Sequence, residues 1–231
     1  MPAAPTMLGA HDIHKNFGAT SALQGASVEV AGGEILAVMG PSGSGKSTLL
    51  HCLAGIFPPD RGEVWFDGQR LDQFNETKRT ALRRTAFGFL FQFGQLVPEL
   101  SAIDNIALPL LLNRIGRKDA YANAGTWFAR LDIAGLERRR TGELSGGQAQ
   151  RVALARALVT HPRVVFADEP TGSLDSLTGE HVMDLLVNTA RAEGTTVVLV
   201  THDARVAACA DRAVIVRDGR VVDQRTAGVG R

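Results

Sequence analysis

"EILAVMGPSGSGKSTLLHCLAG", Glu34 to Gly55, decides the fold. Its first six residues, Glu34 to Met39, read as a strand. That strand runs directly into Gly40-Pro41-Ser42-Gly43-Ser44-Gly45-Lys46-Ser47, which matches G-x-x-x-x-G-K-[ST] at every fixed position. A helical run follows at once. The glycines let successive backbone N–H groups point into one concavity, a cradle for an anion. Lys46 then reaches the β- and γ-phosphates of a nucleotide, and Ser47 holds Mg²⁺. Thr48, next in the helix, joins the nucleotide-binding set. A glycine-rich turn without a ligand is the alternative, but it needs no Lys-Ser pair in this register.

Outward from this unit the pattern is that of a parallel sheet. "RVVFADEP" and "TTVVLVTH" are continuous apolar runs, as strands buried on both faces require. Between them "SLTGEHVMDLLVNTARAEG" is an amphipathic helix ended by Gly194. Val28 to Val30 reads as a strand before the turn Gly32-Gly33, "GEVWFDGQRL" as a hairpin on Asp67-Gly68, and "TAFGFLFQ" as a strand. Ser101 to Leu112, Lys118 to Leu131 and Ser145 to Val159 read as helices, and "RAVIVRDGRVVD" as a closing hairpin on Asp218-Gly219. The expected fold is α/β: a P-loop NTPase parallel-sheet core, an antiparallel β flank early in the chain, and a helical subdomain. One domain is expected over 1–231, with its core at about 1–90 and 160–231 and the helical subdomain at about 91–159.

Composition excludes several classes. The chain has 231 residues, 45% hydrophobic, enough for a sizeable core. Its 25 basic and 24 acidic residues leave a net charge of +1, so no nucleic acid is expected as a partner. Cys52 and Cys209 are far apart and lack metal-ligand spacing; two reduced thiols are expected. The start, "MPAAPTMLGAHDIHKNF", has no secretory signal pattern. No run approaches the roughly 18 apolar residues of a spanning helix. Any work at a membrane therefore needs another chain to span it.

Further motifs sit at strand ends. Asp168 closes the strand Val164 to Ala167, where Mg²⁺ needs a carboxylate, and Glu169 follows it. One acid suffices for the metal, which leaves Glu169 to polarise the attacking water. His202 ends "VVLVTH" on the edge where an open parallel sheet binds ligands, and there it would contact the γ-phosphate. A buried structural histidine is the alternative. Gln92 closes "FGFLFQ"; a neutral amide there can touch Mg²⁺ or the lytic water, although a glutamine at a strand end says little alone. Phe17 can stack on adenine or simply pack.

"ELSGGQAQRVALARAL", Glu143 to Leu158, poses a different question. Ser145 is a good N-cap, and Gly146-Gly147 bare the first amides of a helix. Amides and helix dipole suit a γ-phosphate, yet no lysine lies in the loop. The motif falls in the helical insertion, away from the site that Lys46 and Asp168 define. The geometry is easier if the loop serves the ATP of a second copy, so that a head-to-tail pair encloses two ATPs.

Taken together, GPSGSGKST, Gln92, LSGGQ, VVFADEP, Ser173-Leu174-Asp175 and His202 resemble the nucleotide-binding subunit of ATP-binding-cassette (ABC) transporters, in the family's order and over essentially the whole chain. The resemblance implies an ATPase using ATP and Mg²⁺, with the two-copy ATP sandwich. It assigns Ser173-Leu174-Asp175 to contacts across that pair, beside the Ser145 to Gln148 loop already read as serving the other copy's ATP, and Gln92 to the loop facing a membrane subunit. "FLFQFGQLVPELSAIDNIALPLLL" and "DEPTGSLDSLTGE" are similar to the macrolide-exporter, lipoprotein-release and cell-division branch. That branch implies permease subunits of few helices and large extracytoplasmic domains, with this chain peripheral on the cytoplasmic face of the bacterial plasma membrane. Phe93-Gly94-Gln95 and Ala149 depart from many relatives, outside the catalytic set. The chain ends soon after the last hairpin, so no regulatory C-terminal domain is expected. ATP-driven signalling to an extracytoplasmic enzyme, without cargo, is a second functional expectation.

Overall fold

A computed structural model describes residues 5–226, with side chains as far as Val222. Met1–Ala4, where the absent signal pattern begins, and residues 227–231, on which the expected end of the chain rests, lie outside the described residues. The elements begin with β1 (Thr6–Phe17), β2 (Thr20–Ala31), β3 (Ile35–Met39), α1 (Lys46–Leu53), β4 (Arg61–Phe66), β5 (Gln69–Arg70) and α2 (Glu76–Thr85). They continue with β6 (Phe87–Phe91), α3 (Ala102–Leu112), α4 (Arg117–Arg130), α5 (Gly146–Leu158), β7 (Val164–Asp168) and α6 (Ser176–Glu193). Last come β8 (Thr196–Val200), α7 (Ala204–Ala207), β9 (Arg212–Arg217) and β10 (Arg220–Thr226).

The chain forms two units, one joining residues up to Arg83 with those from Gly194 onward, the other spanning Arg84–Glu193. In the first, β3 lies between β8 and β9 and runs parallel to both, with Val38 opposite Val200 on one side and Val214 on the other. Its run Ile35 to Val38 is buried, as is the whole of β8, which is why neither strand alternates in sequence. β9 and β10 form the expected hairpin on Asp218-Gly219. A second, antiparallel sheet in this unit has the order β2-β1-β4-β5.

Two elements of this unit escape a reading of periodicity. β1 breaks its own alternation: register shifts against β2 fall between Ala10 and Ile13, and Asp12 takes a left-handed φ of 48°. α2, "ETKRTALRRT", buries no residue and so has no apolar stripe. Charge holds it. Glu76 accepts from Arg79, Thr80 and Arg83, and Arg83 also donates to Gly55 O at the end of α1. Hydrogen bonds from Arg83, then Arg79 and Thr80, hold the Glu76 carboxyl down to about 2. Because the folded value is depressed, this contribution is present above the ordinary carboxylate range and is lost as pH falls toward 2. The Glu76→Gln protein is expected to show the weakened α2 already at neutral pH, read by amide hydrogen exchange over 76–85.

In the second unit β6 and β7 pair in parallel, Phe87 opposite Val164 through to Phe91 opposite Asp168. The Phe87 and Phe89 rings pack on Phe166. Helices α3, α4 and α5 follow the sequence reading to within a residue or so. Asn105, fully buried in α3, organises the loop before it. Its Oδ1 accepts Val97 N–H at 2.8 Å, and its Nδ2 donates to Val97 O and Ser101 O, each at 3.1 Å. Asn105→Ala takes the acceptor from the part-buried Val97 N–H and is expected to cost about 1–3 kcal/mol. The measurement is a lowered denaturant midpoint at unchanged slope.

Candidate nucleotide site

The first unit holds Lys46, Ser47, Phe17 and His202. The phosphate loop leaves β3 and enters α1 at Lys46, as the sequence predicts. Gly40 and Gly45 are required by close approach as well as by positive φ (146° and 104°). A Cβ on Gly40 would lie 2.1 Å from Val216 O, and one on Gly45 2.4 Å from Ala22 O. The tip of the β9–β10 hairpin closes over the loop: Gly219 N–H donates to Ser44 O at 3.0 Å, and Gln24 N–H donates to Gly219 O at 2.9 Å. Two strand pairs from different sheets thus grip one loop. Pro41, Ser42 and Gly43 remain exposed at its crest, while Ser44 and Lys46 are buried.

The buried polar groups of the loop fit an oxyanion. Ser44 Oγ is buried with no hydrogen-bond partner among the described residues. Lys46 Nζ donates to the neutral carbonyl of Pro41 in its own loop, at 2.8 Å. A phosphate offers both groups a charged acceptor, and such bonds are roughly twice as strong. Ser47 is exposed at the start of α1, beside Thr48. Among the described residues no cluster of three or more His, Cys, Asp or Glu could hold a metal ion. A hydroxyl, a carboxylate and phosphate oxygens form a different donor set, the hard oxygens that Mg²⁺ takes.

His202 follows β8 on the edge where the phosphate loop leaves β3, because Val38 and Val200 are in register and Thr201 N–H donates to Val38 O. It is exposed there, so the buried structural histidine is not what the structure shows. Phe17, at the end of β1, is held edge-on by Phe57 at 5.6 Å, while 47% of it stays exposed. Lys15 Nζ lies 5.8 Å from the same ring and is itself fixed by Asp60 at 2.8 Å.

The second unit holds Gln92, Asp168, Glu169, the Ser145 loop and Asp175. Asp168 ends β7, and Glu169 takes a left-handed φ of 48°, a strained conformation for a non-glycine residue. Gly172 N–H returns to Glu169 O at 3.1 Å, closing a tight turn. Gln92 follows β6, the partner strand of β7. Its carbonyl accepts Ser173 Oγ at 2.7 Å, and its amide lies over Gly172. The strand pairing therefore brings Gln92 and the Glu169 turn together.

Ser145 caps α5 in a reciprocal box: its Oγ accepts Gln148 N–H, and Gln148 Oε1 accepts Ser145 N–H. Ser145 and Gly146 are exposed, whereas Gly147 is buried beneath α6. A Cβ on Gly147 would lie 2.3 Å from Thr178 Cγ2. Asp175 accepts Thr178 N–H at 3.0 Å, and that bond leads in holding its carboxyl below the usual range. The Ser145 loop and Asp175 thus share Thr178. Sequence reasoning passed over Gln150 and Arg156. Arg156 donates to Gly94 O and Gln95 O, fixing the chain just after Gln92, and burial lowers the pKa of its guanidinium.

A strand-loop-helix phosphate site and a capped, glycine-opened second helix define a nucleotide-hydrolysing cassette. The ABC transporter family model matches residues 23–172, and the chain belongs to that family. It is an ABC-type ATPase, and its nucleotide is ATP. It is 42% identical to a lipoprotein-releasing system ATP-binding protein LolD of Hyphomonas neptunium, over 91% of this chain and 92% of that one. It is 47% identical to the LolD of Bordetella pertussis, over 86% of each. A solved dimeric ATP-binding cassette in a post-hydrolysis state, bound to ADP and Pi, superposes with a TM-score of 0.88 at 35% identity, covering 96% of this chain and 99% of that one.

Proposed function

We propose that this chain is the motor subunit of a bacterial lipoprotein-releasing exporter. Two copies enclose two ATPs and drive separate permease subunits of few helices and large extracytoplasmic domains. The carrying observation is the likeness, over about nine-tenths of both chains, to proteins named for lipoprotein release. The dimeric cassette of closely similar fold supports the paired arrangement. Among the described residues no helix is long and apolar enough to cross a membrane, which fits a subunit held peripherally on the cytoplasmic face by its permease. Residues 91–159 would act as a helical subdomain, with the exposed Phe93 ring facing the permease.

Each site residue then has a task. The amides of Gly40 to Ser47 and the Lys46 ammonium bind the phosphates, Thr48 continues that set, and Phe17 stacks on adenine. Ser47 and Asp168 would hold Mg²⁺, which would offset charge on the phosphate oxygens. Gln92 would contact the metal or the water and follow the permease. Glu169 takes a proton from the attacking water, and His202 donates to the γ-phosphate. Ser145, Gly146, Gly147, Gln148 and Asp175 of one copy complete the site of the other. The experiment is co-purification of the native complex. A few-helix permease with bound lipoprotein is expected; a permease with no cargo and an extracytoplasmic hydrolase would overturn the release reading in favour of signalling.

A further inference from the structure

Gln150 is a long polar side chain, 2% exposed, on the core face of α5. Its neighbours at i+3, i+4 and i+7 are Ala153, Leu154 and Ala157, all buried. Placing a carboxamide there costs free energy unless it is bonded. The bonds it makes are specific. Nε2 donates to Phe91 O at 2.9 Å and to Pro170 O at 2.6 Å. Both partners are carbonyl oxygens, so only the amino end of the amide can face them.

The two acceptors are not equivalent to other loop carbonyls. Phe91 immediately precedes Gln92, and Pro170 immediately follows Glu169. One amino group therefore fixes the backbone next to each of two proposed catalytic side chains. The same helix opens with the Ser145-Gly146-Gly147 loop, one to two turns away. We propose that Gln150 is a positioning residue. It sets Gln92 and Glu169 of its own chain relative to the N-terminus of α5, and so ties that chain's hydrolytic groups to the end of α5 that meets the other copy's nucleotide. This inference rests on the reading of Glu169 as the base and of Gln92 as its neighbour in the site.

The strain at Glu169 makes the tie necessary. A left-handed non-glycine residue persists only where its surroundings over-determine it. The turn is held by Gly172 N–H on Glu169 O, and Gln150 holds the next carbonyl. Losing the Gln150 amino group frees Pro170 O and leaves Phe91 O with its bond from Gly94 N–H, and a misplacement of about 1 Å can cost a hundredfold in rate.

Gln150→Met keeps length and volume and removes both donors. The full-length protein is expected to bind ATP within about twofold of the parent, because no phosphate-loop residue is touched, while kcat falls about 10–100-fold. In a Glu169→Gln background the same substitution is expected to change the residual rate less than about twofold, since the group it positions is already gone. A general packing defect would instead lower ATP binding and the thermal midpoint together. Parent-like kcat in Gln150→Met, equal losses in both backgrounds, or loss of ATP binding each overturns the inference. Normal hydrolysis by Glu169→Gln alone would overturn the functional reading first, and this inference with it.

Discussion

Glu169→Gln is expected to bind ATP normally, hydrolyse it about 10²–10⁴-fold more slowly, and accumulate as a dimer. The substitution keeps the shape of the side chain and removes its capacity to take a proton. It also keeps the backbone, which matters because Glu169 sits at a φ of 48° in a turn closed by Gly172. A loss of rate with unchanged ATP affinity then reports chemistry and not collapse of the turn. The dimer should be visible by light scattering with ATP and disappear with ADP. Hydrolysis near the parent rate, or a Glu169→Gln protein that stays monomeric with saturating ATP, contradicts the role given to this carboxylate.

Gly147→Ala carries the second large effect. The added methyl would meet Thr178 Cγ2 at 2.3 Å, far inside contact distance, so the stiff, β-branched Thr178 side chain must turn away from Asp175, α5 and α6 must separate, or the Ser145 loop must shift. Groups supplied by one protein to another's phosphoryl transfer are worth about 10³–10⁵ in rate. A shift of the loop should therefore nearly abolish hydrolysis while ATP still binds at the phosphate loop. The cause can be isolated. Thr178→Ser removes the offending methyl and keeps the hydroxyl and backbone near Asp175. Gly147→Ala with Thr178→Ser should recover at least about a tenth of parent activity. No recovery would mean that the glycine serves something other than clearance beneath α6.

Most of this was legible in the sequence where one physical signal dominated. β7 and β8 are continuous apolar runs because they are buried on both faces, and the phosphate loop is a fixed register of glycines, lysine and serine. β1 was hidden by its bulges. α2 was hidden because charge and not burial holds it, so no 3.6-residue stripe exists to be read. Gln150 illustrates a subtler gap. In "GGQAQRVALARAL" it looks like one more polar residue beside Gln148 and Arg151, yet it lies in register with Ala153, Leu154 and Ala157. A polar residue on the apolar face of a helix was the available signal. Its partners, two main-chain carbonyls far apart in sequence, leave no trace in residue type.

In the proposed pair, Lys46 of one copy and the Ser145 loop of the other complete a single hydrolytic site. Mixing two inactive proteins tests it most directly. Lys46→Ala should lose the phosphate grip, and Ser145→Arg should block the N-terminus of α5. Each alone should be nearly inactive. In a random mixture half the dimers are mixed, and each has one site with an intact Lys46 and an intact loop, so about a quarter of parent activity should return. A mixture as inactive as its components would contradict the shared site and return the whole of the chemistry to one chain.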